Sequence, residues 1–162
     1  MNKQKSISNV ATRESGLKME TITEGLGKNP TVGDAVLIHY ILYLGSGTSS
    51  SEYDYDNECY VDDLVDSTYE DRPFAGPIEI IVGTATPKDT IYNKGDSIEG
   101  LNEALLDMKV GCKRRLLIPS KLAYGSEGAS SFHTFHGYRT PPDKGLDMII
   151  ELVEIRESGS DT

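Results

Sequence analysis

The chain has no tryptophan, three phenylalanines and two cysteines in 162 residues. Lacking Trp, and with 37% hydrophobic residues, it is long enough to bury a core but builds a modest one. Two cysteines cannot make a disulfide-rich scaffold. Cys59 lies in an acidic stretch and Cys112 in a turn ahead of a strand, so two free thiols are expected. No apolar run approaches the roughly 20 residues that a membrane helix needs. The amino end, Met-Asn-Lys-Gln-Lys-Ser-Ile-Ser, is not followed by the apolar stretch of a secretory signal. The expectation is a soluble chain, either cytoplasmic or a mature form whose targeting segment has been removed. Positive charge is also scarce. Sixteen Lys and Arg against 26 Asp and Glu leave a net charge of −10, which excludes nucleic-acid and anionic-membrane binding. The run Lys113-Arg114-Arg115 is too short to reverse this. It reads as a solvated strand face whose stems cover apolar surface.

Metal motifs are absent as well. Asp54, Asp56 and Glu58 alternate like the start of a calcium loop, but Cys59 stands where the sharp turn needs Gly and Val65 where the closing Glu belongs. His133 and His136 have no Cys or acid at zinc-ligand spacing. Asn57-Glu58-Cys59 fails the glycosylation pattern.

What is present is mostly strand. Leu17–Ile22 alternates, Ala35–Leu44 is rich in β-branched and aromatic residues, and Pro77–Gly83, Arg114–Ile118 and Leu146–Ile155 read the same way. One helix is expected, with Asp96 as N-cap and Glu99 completing a capping box. Ile98, Leu101, Leu105 and Met108 are spaced to share its apolar face, and Gly111 fits the turn out of it. Residues 1–15 and 158–162 read as polar tails around a domain at 16–157. Within it, residues 45–64 form a long acidic hairpin insertion and residues 84–94 a further polar loop.

The order of parts in Met108–Gly125, MKVGCKRRLLIPSKLAYG, is the most specific signal. A helix end, a tight turn, a basic strand, a proline break and Ala-Tyr-Gly come one after another. Together with His39-Tyr40 and Val65-Asp66-Ser67-Thr68, this order resembles the FKBP-type peptidyl-prolyl isomerases over about Gly16 to Glu157. The resemblance implies an α+β fold: a twisted antiparallel sheet of about five strands curled around one short amphipathic helix, with a pocket between them. It implies catalysis by Tyr40, Asp66, Ile98 and Tyr124. Tyr40 lines the pocket. Asp66 anchors a tyrosine and meets the substrate carbonyl. Ile98 offers its backbone N–H to the ligand, and Tyr124 its hydroxyl. No cofactor or metal is implied.

Substrate-lining positions depart from the family pattern. Val65 and Ile78 stand where Phe is usual, Leu101 replaces the floor aromatic, Met148 replaces a Phe, and Thr140 replaces an apolar residue before Pro141-Pro142. All five are smaller or softer than the usual occupant, so a reduced rate is expected. Two functions fit this pattern. One is an isomerase acting on proline-containing polypeptides and assisting folding. The other is a catalytically weak docking or assembly subunit of a larger complex, photosynthetic if the chain is plastidic. Its partner would be met by the acidic loop 45–64 and the N-terminal tail. The Ser15–Lys18 entry is similar to that of plastid and bacterial members, which adds the thylakoid lumen to the cytoplasm as an expected location. In a lumen, Cys59 and Cys112 would be open to oxidation.

Overall fold

The structure is a computed structural model that describes residues 10–45, 53–54, 59–60, 64–69, 76–83, 98–128 and 142–156. Its strands are β1 (Val10–Thr12), β2 (Lys18–Thr23), β3 (Ala35–Gly45), β4 (Tyr53–Asp54), β5 (Cys59–Tyr60), β6 (Leu64–Ser67), β7 (Ile78–Ile81), β8 (Lys113–Ile118) and β9 (Gly145–Arg156). One helix, α1, spans Glu99–Leu105, and 3-10 turns cover Ser120–Leu122 and Gly125–Glu127.

Seven strands form one antiparallel sheet in the order β1-β2-β8-β9-β3-β6, with β7 also paired to β3. The two long strands, β3 and β9, run side by side from Ala35↔Arg156 to Gly45↔Gly145 and make its spine. The outer end of β3 is divided between two short strands: Ala35–Ile38 pairs with β7, and Ile41–Tyr43 pairs with β6. The insertion at 45–64 therefore joins antiparallel neighbours. Within it, β4 and β5 pair with each other.

The period-two patterns decide the two faces. Val36, Ile38, Tyr40 and Leu42 of β3 join Leu146, Met148, Ile150 and Leu152 of β9 in one core cluster, and α1 supplies Leu101, Ala104 and Leu105 to it. The expected helix stripe is present, since Ile98, Leu101, Leu105 and Met108 are all buried there. Gly111 takes φ +88° and donates its N–H to the Leu152 carbonyl at 2.8 Å, which hooks the turn after the helix onto β9.

Three readings change. The helix has Ile98 rather than Asp96 at its N-cap position, with no side-chain cap there; Asp96 lies outside the described residues. Arg115 is not solvated. It is 7% exposed, because the register sets it opposite Glu20, 3.8 Å away. The polar segment read as a tail contains β1, paired to β2, and continues into contacts with the helix: Arg13 meets Asp107, and Ser15 Oγ donates to Glu103 Oε2 at 2.8 Å. Three residues are too short to show the alternation of a strand, and β1 is held by the neighbouring β2.

Candidate functional site

The site grows from β3, whose Tyr40 shares a core cluster with Leu101 of α1 and whose outer edge carries β6. Tyr40 sits at the middle of β3 and points to the helix side, where it is 3% exposed. Met148 on β9 faces the same way, paired with Leu42 across the strands. Leu101, in the first turn of α1, joins both in one buried cluster. Ile78 on β7, opposite Ile38, and Tyr124 beside the 3-10 turns are half-buried at the margin of that cluster.

Gly100 brings the helix start close to the sheet. A Cβ there would stand 2.6 Å from Ile118 Cγ2, so only glycine allows this approach. At the cap, Ile98 has extended geometry (φ −76°, ψ 154°) and its carbonyl already accepts the Asn102 N–H at 3.1 Å. Among the described residues nothing accepts from the Ile98 N–H. The first N–H groups of a helix have no intrahelical acceptor and can serve an incoming carbonyl.

β6 delivers the Val65–Thr68 motif. Asp66 pairs with Leu42 and Leu64 with Tyr43, so Val65 is the extra residue of a bulge. The side chains of Val65 and Asp66, and all of Thr140, His133 and His136, lie outside the described residues. Just after Asp66 the chain is hooked back onto β3. The Thr68 N–H donates to the Tyr40 carbonyl at 3.0 Å, and Thr68 Oγ1 accepts the Tyr40 N–H at 2.9 Å. The same hydroxyl lies 2.8 Å from His39 Nδ1. The His39 ring stacks on Tyr69 with centroids 4.5 Å apart, and the Tyr69 hydroxyl donates to Glu151 at 2.6 Å. The sequence motifs contain His39-Tyr40 and Thr68 but give no sign of this network between them.

Asn102 was missed altogether. Its signal was a polar residue four positions after Ile98, on a stripe otherwise apolar. Among the described residues no group of three or more His, Cys, Asp or Glu could hold a metal ion. No helix among them is long and apolar enough to cross a membrane.

A family model described as FKBP-type peptidyl-prolyl cis-trans isomerase matches residues 27–153. An FK506-binding protein of Neisseria meningitidis serogroup B is 30% identical over 142 residues, covering 88% of this chain and 98% of that protein. A chloroplastic peptidyl-prolyl cis-trans isomerase of Arabidopsis thaliana, FKBP16-1, is 31% identical over 70% of this chain and 43% of that protein. Among solved structures, a peptidyl-prolyl cis-trans isomerase of Pseudomonas syringae shares the fold with a TM-score of 0.60 at 24% identity, covering 91% of this chain and 81% of that one. With the sheet, the single helix and the family match in agreement, the chain belongs to the FKBP-type peptidyl-prolyl cis-trans isomerases.

Proposed function

We propose that the chain isomerises Xaa-Pro bonds of exposed polypeptide segments at a reduced rate, assisting their folding, through the pocket above Tyr40, Leu101 and Met148. The observation that supports this reading is that Ile98, whose N–H has no acceptor among the described residues, belongs to one apolar cluster with Tyr40, Leu101 and Met148. Tyr40, Leu101, Met148 and Ile98 in that cluster are 3–6% exposed. Prolyl isomerisation makes and breaks no bond. Its barrier, about 20 kcal/mol, comes from amide resonance. Uncatalysed, the step takes tens to hundreds of seconds at about 25 °C. A catalyst therefore needs no nucleophile or general base. It needs an apolar seat for the proline ring, donors that hold the flanking carbonyls, and a dry environment that lowers the cost of the twisted amide, with its smaller dipole, relative to the planar one.

On this reading Tyr40, Leu101 and Met148 form the floor of the seat, and Ile78, Val65 and Thr140 are its other substrate-binding positions. Ile98 N–H and the Tyr124 hydroxyl hold the ligand, and Asp66 anchors a tyrosine and meets the substrate carbonyl. The reduced rate stems from side chains smaller or softer than the aromatics that usually grip a proline ring.

The insertion between β3 and β6 favours a second reading, in which the domain docks on a partner through the acidic loop 45–64 and the N-terminal tail. Acidic surfaces steer and select partners and do not isomerise proline. NMR exchange on Xaa-Pro peptides separates the two readings. Acceleration that falls in both Asp66→Ala and Tyr124→Phe is expected, the latter by about fivefold for one lost hydrogen bond. An uncatalysed rate from folded wild type would overturn the enzymatic reading in favour of docking.

A further inference from the structure

One side chain joins Gly83, just past β7, to Ile98, at the start of α1. Asn102 Oδ1 accepts the Gly83 N–H at 2.9 Å, while Asn102 Nδ2 lies 3.4 Å from the Ile98 carbonyl, which also accepts the Asn102 backbone N–H at 3.1 Å. Asn102 is 6% exposed. A carboxamide so buried is costly unless its donor and acceptor are both used, and here both are.

The Gly83 end of this brace is a fixed post. Gly83 takes φ +89°, and a Cβ on it would meet Val32 Cγ1 at 2.7 Å. The preceding Val82 donates its N–H to the Asp34 carbonyl and accepts the Gly33 N–H, both at 2.9 Å. Asp34 in turn is locked in its own turn, where its carboxylate accepts the Thr31 N–H at 2.8 Å. The sheet therefore sets the position of Gly83, and Asn102 transmits that position to the helix cap.

We propose that Asn102 is a positioning residue for the Ile98 N–H: it braces the start of α1 against the end of β7, so that this peptide group faces a bound prolyl-peptide carbonyl at a fixed height. The proposal rests on the reading that Ile98 meets substrate. Asn102 itself does not touch substrate. Its loss displaces a hydrogen-bond donor that binds the ground and transition states alike, so the effect falls on KM more than on kcat.

The test measures KM and kcat on one Xaa-Pro tetrapeptide for wild type, Asn102→Leu and Asn102→Asp at pH 7. Urea midpoints are recorded for each. Asn102→Leu keeps the branched shape and removes both side-chain hydrogen bonds; Asn102→Asp keeps the acceptor for Gly83. Leu105→Val, at the far end of α1, is the control for general destabilisation. The expected result is a rise in KM of about tenfold in Asn102→Leu, as for a donor misplaced by a fraction of an ångström. Asp is expected to recover most of this, and Leu105→Val to leave KM unchanged. If Asn102→Leu does not fold, Asn102→Ser carries the same expectation, its hydroxyl being too short to reach Gly83. A wild-type KM in Asn102→Leu or Asn102→Ser overturns the proposal and leaves the isomerase reading standing, as does an equal rise in Leu105→Val. A wild type that accelerates nothing overturns both together.

Discussion

The Thr68 hydroxyl accepts the Tyr40 N–H at 2.9 Å and lies 3.3 Å from the Tyr40 carbonyl and 2.8 Å from His39 Nδ1. It has one proton to give, so it donates to the imidazole or to the carbonyl but not to both. Thr68→Val keeps the shape and removes the acceptor, which leaves a buried Tyr40 N–H unsatisfied. A loss of about 1–3 kcal/mol is expected, read as a lower urea midpoint at unchanged slope. Ile78 offers the opposite experiment. It is half-buried at the rim of the cluster, so Ile78→Phe has room to extend over a proline ring. An aromatic contact worth about 0.5–1.5 kcal/mol is expected to raise kcat/KM about two- to tenfold, measured by the same NMR exchange. The motif residues were legible in the sequence because Val65–Thr68 is a local string. The partners of Thr68 were not, because they lie on β3, 28 and 29 residues away.

Helix α1 is short, seven residues, and has no side-chain cap. Its stability comes from packing rather than from propensity, since isolated helices of this length are marginal. Gly100 makes the packing possible and gives a mutation whose sign is decided by contact. In a free helix Gly→Ala gains about 1 kcal/mol. Here the new methyl would stand 2.6 Å from Ile118 Cγ2, on a β-branched side chain that is fully buried. Overpacking of about 1–3 kcal/mol outweighs the gain, so Gly100→Ala is expected to lower the thermal midpoint. Paired with Ile118→Ala it is expected to cost less than the sum of the single changes, and a double-mutant cycle checks this. The apolar stripe of α1 was readable from spacing alone. Its starting residue was not, because Gly100 packs closely against Ile118 of β8, an approach that no local pattern encodes.

For the molecule as a whole, the chain closes on itself through its first described residues. Arg13 meets Asp107, which also lies 3.4 Å from Arg114, and Ser15 bonds Glu103, so the lead into β2 crosses the outer side of the helix. Beneath this side, Cys112 is a free, buried thiol. Burial pushes its pKa up from the ordinary 9.0; Glu24 adds to this, and Arg114 opposes it. The folded state therefore keeps the proton to higher pH than the unfolded chain does. The stability involved is whole below about pH 9 and is lost as pH rises toward the folded value. Urea midpoints at pH 8, 9 and 10 are expected to fall less steeply in Cys112→Ala than in wild type. An equal slope in both would show that burial of the thiol has no part in alkaline loss.

Chain-local patterns were enough to read the five principal strands, the apolar face of α1 and the family. Those features rest on alternation, spacing and motif strings, which act between neighbours in the chain. Long-range packing alone set the rest: that β3 divides its outer edge between β6 and β7, that Arg115 is buried beside Glu20, and that Asn102 joins Gly83 to Ile98. Each of these depends on which distant groups share a face or a register. A short polar segment or a lone amide carries no periodic signal until its partner is in place.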